Sequence, residues 1–319
     1  MLLSRFLAGT SSVMMILGAG AVSGQDFPNK PIRIVTAPAG GANDFTARLI
    51  ASGISASFGQ PVIVDNRNGG YVPVEVVMKA PPDGYSMLFD GASFWIQPIM
   101  EKMPYDVLRD FSPISSAIGS LFVLATHPSL PVNSVKELIA LAKAKPGVLN
   151  YASGAVGSTN HLAAELFKAM AGVNIVRIPY KSAAARVPAV MSGEVQMTIA
   201  DVFLVVPHVK SGKVKALAVT SAEPSALTPG MPTLAAAGLP GYEAVGISGL
   251  LAPIKTPSSI IKRLNHEIVR VLNGEESKQA FATRGAEVIA GSPEQFATLI
   301  KTDIAKWGKL IRDAGIKAD

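Results

Sequence analysis

The chain has 319 residues, 49% of them hydrophobic and 16% charged, with a net charge of +6 and no cysteine. That length suits two domains of roughly 100–200 residues. Without cysteine the protein is neither a disulfide scaffold nor a lipoprotein, and basic residues scattered singly, with aromatics at 6%, argue against a nucleic-acid surface.

Residues 1–23 read as a secretory signal. Arg5 supplies the positive start, Val13 to Leu17 the apolar centre, and Ala21-Val22-Ser23 a small-residue cleavage site. Ser11, Ser12 and nearby glycines interrupt the apolar run, which falls short of the roughly 20 residues of a membrane-spanning helix. The mature protein is therefore expected to be soluble and exported to a periplasm. Loss of Arg5 leaves +5, a modest positive field able to steer anions.

The chain then turns on Ile32 to Ser52. Ile32, Ile34 and Val35 form a short apolar run that breaks at Pro38; Ala39, Gly40, Gly41 and Ala42 follow, and an amphipathic pattern begins at Asn43. This predicts strand, tight loop and helix, with Asn43 or Asp44 as the cap. The free N–H groups and positive dipole end of such a helix would suit an anion or carboxylate. The glycines match neither nucleotide-binding fingerprint.

Next come a strand at Val62 to Asp65, a weak helix at Val74 to Ala80, a turn at Pro81 to Gly84 and a strand at Tyr85 to Phe89. The last ends in Gly91-Ala92-Ser93, a second candidate wall. This alternation predicts a largely parallel sheet covered by helices. Phe122 to Ala125 reads as a strand leaving the first lobe. Ser134 caps a helix from Val135 to Lys145, with Glu137 completing a capping box. Leu149 to Ala152 is a strand, the loop Ser153 to Asn160 repeats the glycine and hydroxyl chemistry of the first corner, and a helix runs to Gly172. Strands follow at Asn174 to Tyr180, at Val195 to Asp201 and at Lys215 to Thr220, with a helix through Val187 to Met191 and a short helix or turn over Val202 to Lys210. Gly246 to Pro253 can return the chain to the first lobe. Closing helices are expected at Ser258 to Asn273, capped by Ser258 or Ser259, and at Pro293 to Ala314, capped by Ser292. The predicted lobes are 24–125 with 247–319, and 126–246.

From Phe27 to about Trp307 the chain resembles the solute-binding receptors of tripartite tricarboxylate transporters, the Bug proteins. The ordered blocks include FPNKPIRIVTAPAGGANDFTARLIA, GQPVIVDNR, APPDGYSMLF, SVKELIALAKAKPGVLNYASGAVGSTNHLAAELFK, SGKVKALAVTS and MPTLAAAGLPGYE. The resemblance implies an α/β fold of two lobes, type II-like, each a mixed, mainly parallel sheet flanked by helices, joined by two crossing segments. It also implies capture of a small carboxylate in the interlobe cleft and delivery to permease subunits, by a monomer without cofactor or metal. Carried over to this chain, the ligand would meet Ala39, Gly40, Gly41, Asn43 and Asp44 in one lobe and Ser153, Gly157, Ser158 and Thr159 in the other. Ser93, His161, Tyr180, Ala184 and Asp201 would complete the site. The chain departs from the family pattern in three places: Ala39 before Gly40-Gly41, Asn66 to Pro73 after the second strand, and Tyr180-Lys181-Ser182 with alanines leading to Arg186. Tyr71, Phe94 and Trp95 are expected near the cleft, where they would shape an aromatic or longer guest.

Catalytic chemistry lacks its parts. There is no G-x-S-x-G elbow, and His127, His161, His208 and His266 are too far apart for metal-ligand spacing. A secreted cleft enzyme acting through Asp201, His161 or Ser93 is the alternative, without a visible proton-transfer partner. The guest stays open among di-, tri- and aromatic carboxylates or a neutral amide.

Overall fold

A computed structural model describes residues 27–68 and 70–318. The signal segment expected over 1–23 lies outside the described residues, as does Gly69.

In chain order the first lobe begins with β1 (Ile32–Thr36), α1 (Ala42–Phe58), β2 (Val62–Asn66), α2 (Val72–Met78), β3 (Ser86–Gly91), α3 (Ala92–Met100), α4 (Val107–Asp110) and β4 (Phe111–Ser120). The second lobe follows with β5 (Phe122–Thr126), α5 (Val135–Ala144), β6 (Asn150–Ser153), α6 (Thr159–Ala171), β7 (Val176–Pro179), α7 (Ala183–Met191), β8 (Met197–Asp201), α8 (Val202–Lys210) and β9 (Lys215–Val219). The chain returns through β10 (Gly246–Pro253), α9 (Ser258–Leu272), α10 (Glu275–Ala282), β11 (Ala286–Val288) and α11 (Pro293–Asp313).

Two mixed sheets result, ordered β11-β4-β10-β3-β1-β2 and β7-β6-β8-β5-β9. Setting β11 aside, the orders match, with β10 and β5 entering antiparallel beside β3 and β8. In each sheet the parallel strands lie to one side, where βα connections bring the chain back in the same direction. Carboxyl ends of β1, β3, β6 and β8 therefore gather at the openings where α/β sheets hold ligands.

The strand expected over Phe122 to Ala125 as the chain leaves the first lobe is β5, which belongs instead to the second sheet, between β8 and β9. The outward crossing falls at Leu121, whose N–H bonds the Gly285 carbonyl. The return through Gly246 to Pro253 is where the sequence placed it, paired to both β3 and β4. One apolar cluster spans the lobes, running from Trp95, Phe296 and Trp307 to Leu162, Phe167 and Tyr242. α11 contacts both α3 and α6 and joins the lobes on that side.

Several caps differ from expectation. Gly41, not Asn43 or Asp44, precedes α1 in extended conformation. Pro257 precedes α9, so neither Ser258 nor Ser259 caps it. Ser134 accepts the Glu137 N–H, but the Glu137 carboxylate reaches back to Asn133 rather than Ser134, so that capping box is half-formed. Ser292 and Gln295 form a full box on α11. Among the described residues no helix is long and apolar enough to cross a membrane.

Candidate functional site

The first corner forms because β1 ends at buried Thr36, whose hydroxyl donates to the Phe89 carbonyl at 2.9 Å and ties β1 to β3. The backbone then turns through Gly40 at φ +89, a conformation that favours glycine. Asp44, in the first turn of α1, reaches back so that Oδ2 accepts the Gly40 N–H at 3.0 Å. Its Oδ1 accepts from Arg48 Nε and Asn66 Nδ2, each at 2.9 Å. The Arg48 bond, then the Gly40 N–H and Asn66, hold this carboxyl below its usual range against the cost of burial. Asp44 thus shapes the loop, and the Gly40 N–H is already taken. The N–H groups of Ala42, Asn43 and Asp44 precede the first intrahelical bond of α1, which runs from the Phe45 N–H to the Gly41 carbonyl.

These groups open on a chamber of about 260 Å³ between the lobes. Gly40, Gly41, Ala42 and Phe45 line one side, Asp201 and Phe203 the other, and Arg284 stands on the turn before β11. The Arg284 guanidinium lies 3.6 Å from the Phe45 ring centroid, and Phe45 meets Phe281 edge-on at 5.8 Å. Stacking fixes the cation beside the start of α1. Asp201 is half-buried at the end of β8, with Oδ2 3.6 Å from Arg186 Nη2. Burial pushes its pKa up and Arg186 opposes the rise. Asp90, at the end of β3, is pushed up to about 6 by burial, although it accepts the Gly91 N–H at 2.7 Å and the Asn43 amide at 3.5 Å.

The second corner borders another chamber, about 330 Å³, lined by Ser93, Gln97 and Met100 from α3 and by Ala155 to Ser158. Within this corner, Gly157 has φ +76 and its N–H donates to His161 Nδ1 at 3.1 Å. His161 is buried, with Nε2 3.9 Å from Glu165, so it braces the loop from behind. The Ser158 hydroxyl turns onto the Ala155 carbonyl at 2.6 Å. Ser153 is fully buried and donates to the Gly154 carbonyl.

The residues expected at one site are therefore distributed. Gly40, Gly41 and Asp201 share the first chamber, while Ser93, Gly157 and Ser158 share the second. Asp44, Ser153 and His161 stand behind the walls as braces. Burial, and then the Glu194 carboxylate that accepts its hydroxyl at 2.7 Å, push the Tyr180 pKa up to about 12. Ala39 is exposed in the first loop, Asn43 and Thr159 are partly exposed at the starts of α1 and α6, and Ala184 is exposed at the start of α7. Phe94 and Trp95, expected beside the cleft, are core residues; the Trp95 indole donates to Asp303 at 3.1 Å. Tyr71 is 42% exposed. Packing of α3 against α11 turns both α3 aromatics inward. Arg186 and Arg284 were given no role from sequence, the signal for Arg186 being a charge at the end of a row of alanines. With His161 turned away onto a backbone N–H, the chambers present donors and charges suited to holding an anion rather than a nucleophile with its base.

The relatives point the same way. The chain is 35% identical to protein BugT of Bordetella pertussis over 99% of each chain. A solved structure described as R. palustris with adipate is 34% identical at a TM-score of 0.78, covering 92% of this chain and 100% of its own. MatC from Rhodopseudomonas palustris, with bound malate, is 26% identical at a TM-score of 0.73, covering 89% of this chain and all of its own. Residues 46–316 match the model described as tripartite tricarboxylate transporter family receptor, and the chain belongs to that family.

Proposed function

We propose that the protein captures a small carboxylate between its lobes in the periplasm and hands it to the permease subunits of a tripartite tricarboxylate-type transporter. It is a binding protein of a transport family, not an enzyme. The observation that carries the ligand class is the chamber where the open start of α1 and the fixed Arg284 cation meet across from β8. A carboxylate there accepts charge-assisted hydrogen bonds from the first lobe while touching the second, so binding shifts the population toward closure. The adipate and malate bound by two relatives support a dicarboxylate, with tricarboxylates, aromatic acids and neutral amides as the other guests to be tried. The ligand contacts are assigned to Gly41, Ala42, Asn43, Asp201 and Arg284 around this chamber, and to Ser93, Ser158 and Thr159 around the neighbouring one, with Ala184 at the start of α7. The receptor acts as a monomer in this reading, its signal segment removed near Ser23.

The test is a thermal-shift screen of residues 24–319 against mono-, di- and tricarboxylates, aromatic acids and neutral amides, with mass spectrometry of each hit. A rise in melting temperature with the compound recovered intact is expected, since a guest that binds only the native state stabilises it by mass action. Consumption of the compound would return the enzyme reading, and shifts with amides alone would remove the carboxylate.

A further inference from the structure

We propose that Asp303, on α11 and outside both chambers, is a positioning residue for the guest. By holding the Trp95 indole it fixes the face of α3 that meets the second-lobe corner, so that affinity as well as stability depends on it. This rests on the carboxylate-receptor reading above, which assigns Ser93 and Ser158 to the guest.

The helix α3 has two opposed faces. Ser93, Gln97 and Met100 recur at helical spacing and line the chamber of about 330 Å³ together with Ala155 to Ser158. Trp95 lies about half a turn round the helix from them, in the core, and is 1% exposed. The chamber-facing side also reaches the second lobe directly, because the end of the Met100 side chain fills the space where a Cβ on Gly157 would stand. Where α3 sits therefore sets how the two walls of this chamber meet.

Little within α3 fixes that place. The helix has nine residues, Gly91 before it offers no side-chain cap, and Pro98 interrupts it. Proline brings no N–H, and the Phe94 carbonyl four residues earlier accepts the Tyr105 hydroxyl instead, at 3.0 Å. A second hold comes from α11. Asp303 is 3% exposed, and its Oδ2 accepts the Trp95 Nε1–H at 3.1 Å. Its Oδ1 accepts the Trp307 Nε1–H at 3.2 Å and has Lys306 Nζ at 3.4 Å. Trp307 and Lys306 belong to α11 itself, so Oδ2 is the atom that ties α3 to the helix contacting both lobes. A buried carboxylate holds its donors firmly, since losing one leaves desolvated charge unpaired.

The experiment is calorimetric titration with adipate and with malate, beside urea unfolding. It compares the mature receptor with its Asp303→Asn, Trp95→Phe and Trp307→Phe variants and with the double variant Asp303→Asn, Trp95→Phe. Asparagine keeps one acceptor oxygen but turns amide donors toward an indole N–H. Asp303→Asn and Trp95→Phe should each weaken the acid that binds by about fivefold or more, and the double variant should bind no worse than the weaker single, because both changes break one bond. Trp307→Phe removes the indole bond internal to α11, and should lower stability while leaving affinity within about twofold. A pin of purely structural role would lower stability and leave native affinity in every variant, and that result overturns the proposal. Equal weakening by Trp95→Phe and Trp307→Phe also overturns it, and this comparison stands whether or not Asp303→Asn folds. Native protein that binds neither acid removes the dicarboxylate of the reading above, and this proposal with it.

Discussion

The Asp44 carboxylate closes on the backbone N–H of Gly40, four residues behind it, at 3.0 Å. The same carboxylate holds Arg48 and Asn66, so one side chain sets the loop, the first turn of α1 and the end of β2. Asp44→Ala strands the Gly40 donor and should cost about 2 kcal/mol in urea unfolding, with guest affinity falling about tenfold as the loop loses its shape. Because Asp44 titrates below its usual range, its contribution is complete above the ordinary carboxylate value and is lost as pH falls through the folded value. Native protein should therefore lose more stability on acidification than the alanine variant, and parallel acid profiles would contradict this role.

Asp90 works with the opposite sign. Its folded pKa is raised from 3.8 to about 6, so the fold favours the neutral acid. Its contribution is present below 3.8 and lost as pH rises through about 6. Asp90→Asn, which retains an acceptor for the Gly91 N–H, is expected to raise stability by roughly 1–2 kcal/mol near pH 8 and by almost nothing near pH 4. Melting curves at the two pH values check this, and a pH-independent gain would rule out titration as its cause.

Gly41 and Gly157 are not equivalent, although each stands in one of the two glycine corners. Gly41 is extended, and an added Cβ would lie 3.9 Å from the nearest atom, the Pro38 carbonyl oxygen. Gly41→Ala should keep native stability and weaken binding by intruding on the chamber. Gly157 has φ +76, and an added Cβ collides with the end of the Met100 side chain. Gly157→Ala should lose about 1–2 kcal/mol of stability through the backbone alone. Adding Met100→Ala should restore part of the affinity and leave the backbone loss, a split read by titration and denaturant unfolding.

Arg284 is exposed and stacked on Phe45, so Arg284→Met should change stability by no more than about 1 kcal/mol. Carboxylate affinity should fall about tenfold, and its decline with added salt should flatten, because a fixed charge beside the chamber has been removed. Titrations at low and high salt separate this from a packing effect, which would leave the salt dependence unchanged.

Much of the architecture was legible because it depends on neighbours in the chain. Apolar runs ending at Gly40-Gly41 and at Ser153-Gly154 place two strand-to-helix corners, and Ser134, Ser292 and Gly172 mark helix ends by local hydrogen bonding and backbone freedom. The family blocks were equally plain, since they are sequence. Less could be said of α3, where Pro98 and the preceding glycine obscured a helix that packs on α11, two hundred residues away. Its aromatics face inward for that reason, and no local pattern reports it.

By itself, then, the sequence determined many of the strands and helices, though not α3, α4, β4, α10 or β11, together with the two glycine corners and the family, because local propensity and residue identity carry these. Tertiary structure decided which polar groups are left for a guest. Asp44 consumes the Gly40 N–H, His161 consumes that of Gly157, and Glu194 takes the Tyr180 hydroxyl, while Arg186 is enclosed with donors unpaired. The reason is that hydrogen-bonding capacity belongs to a residue, whereas its availability depends on what the fold has already brought within reach.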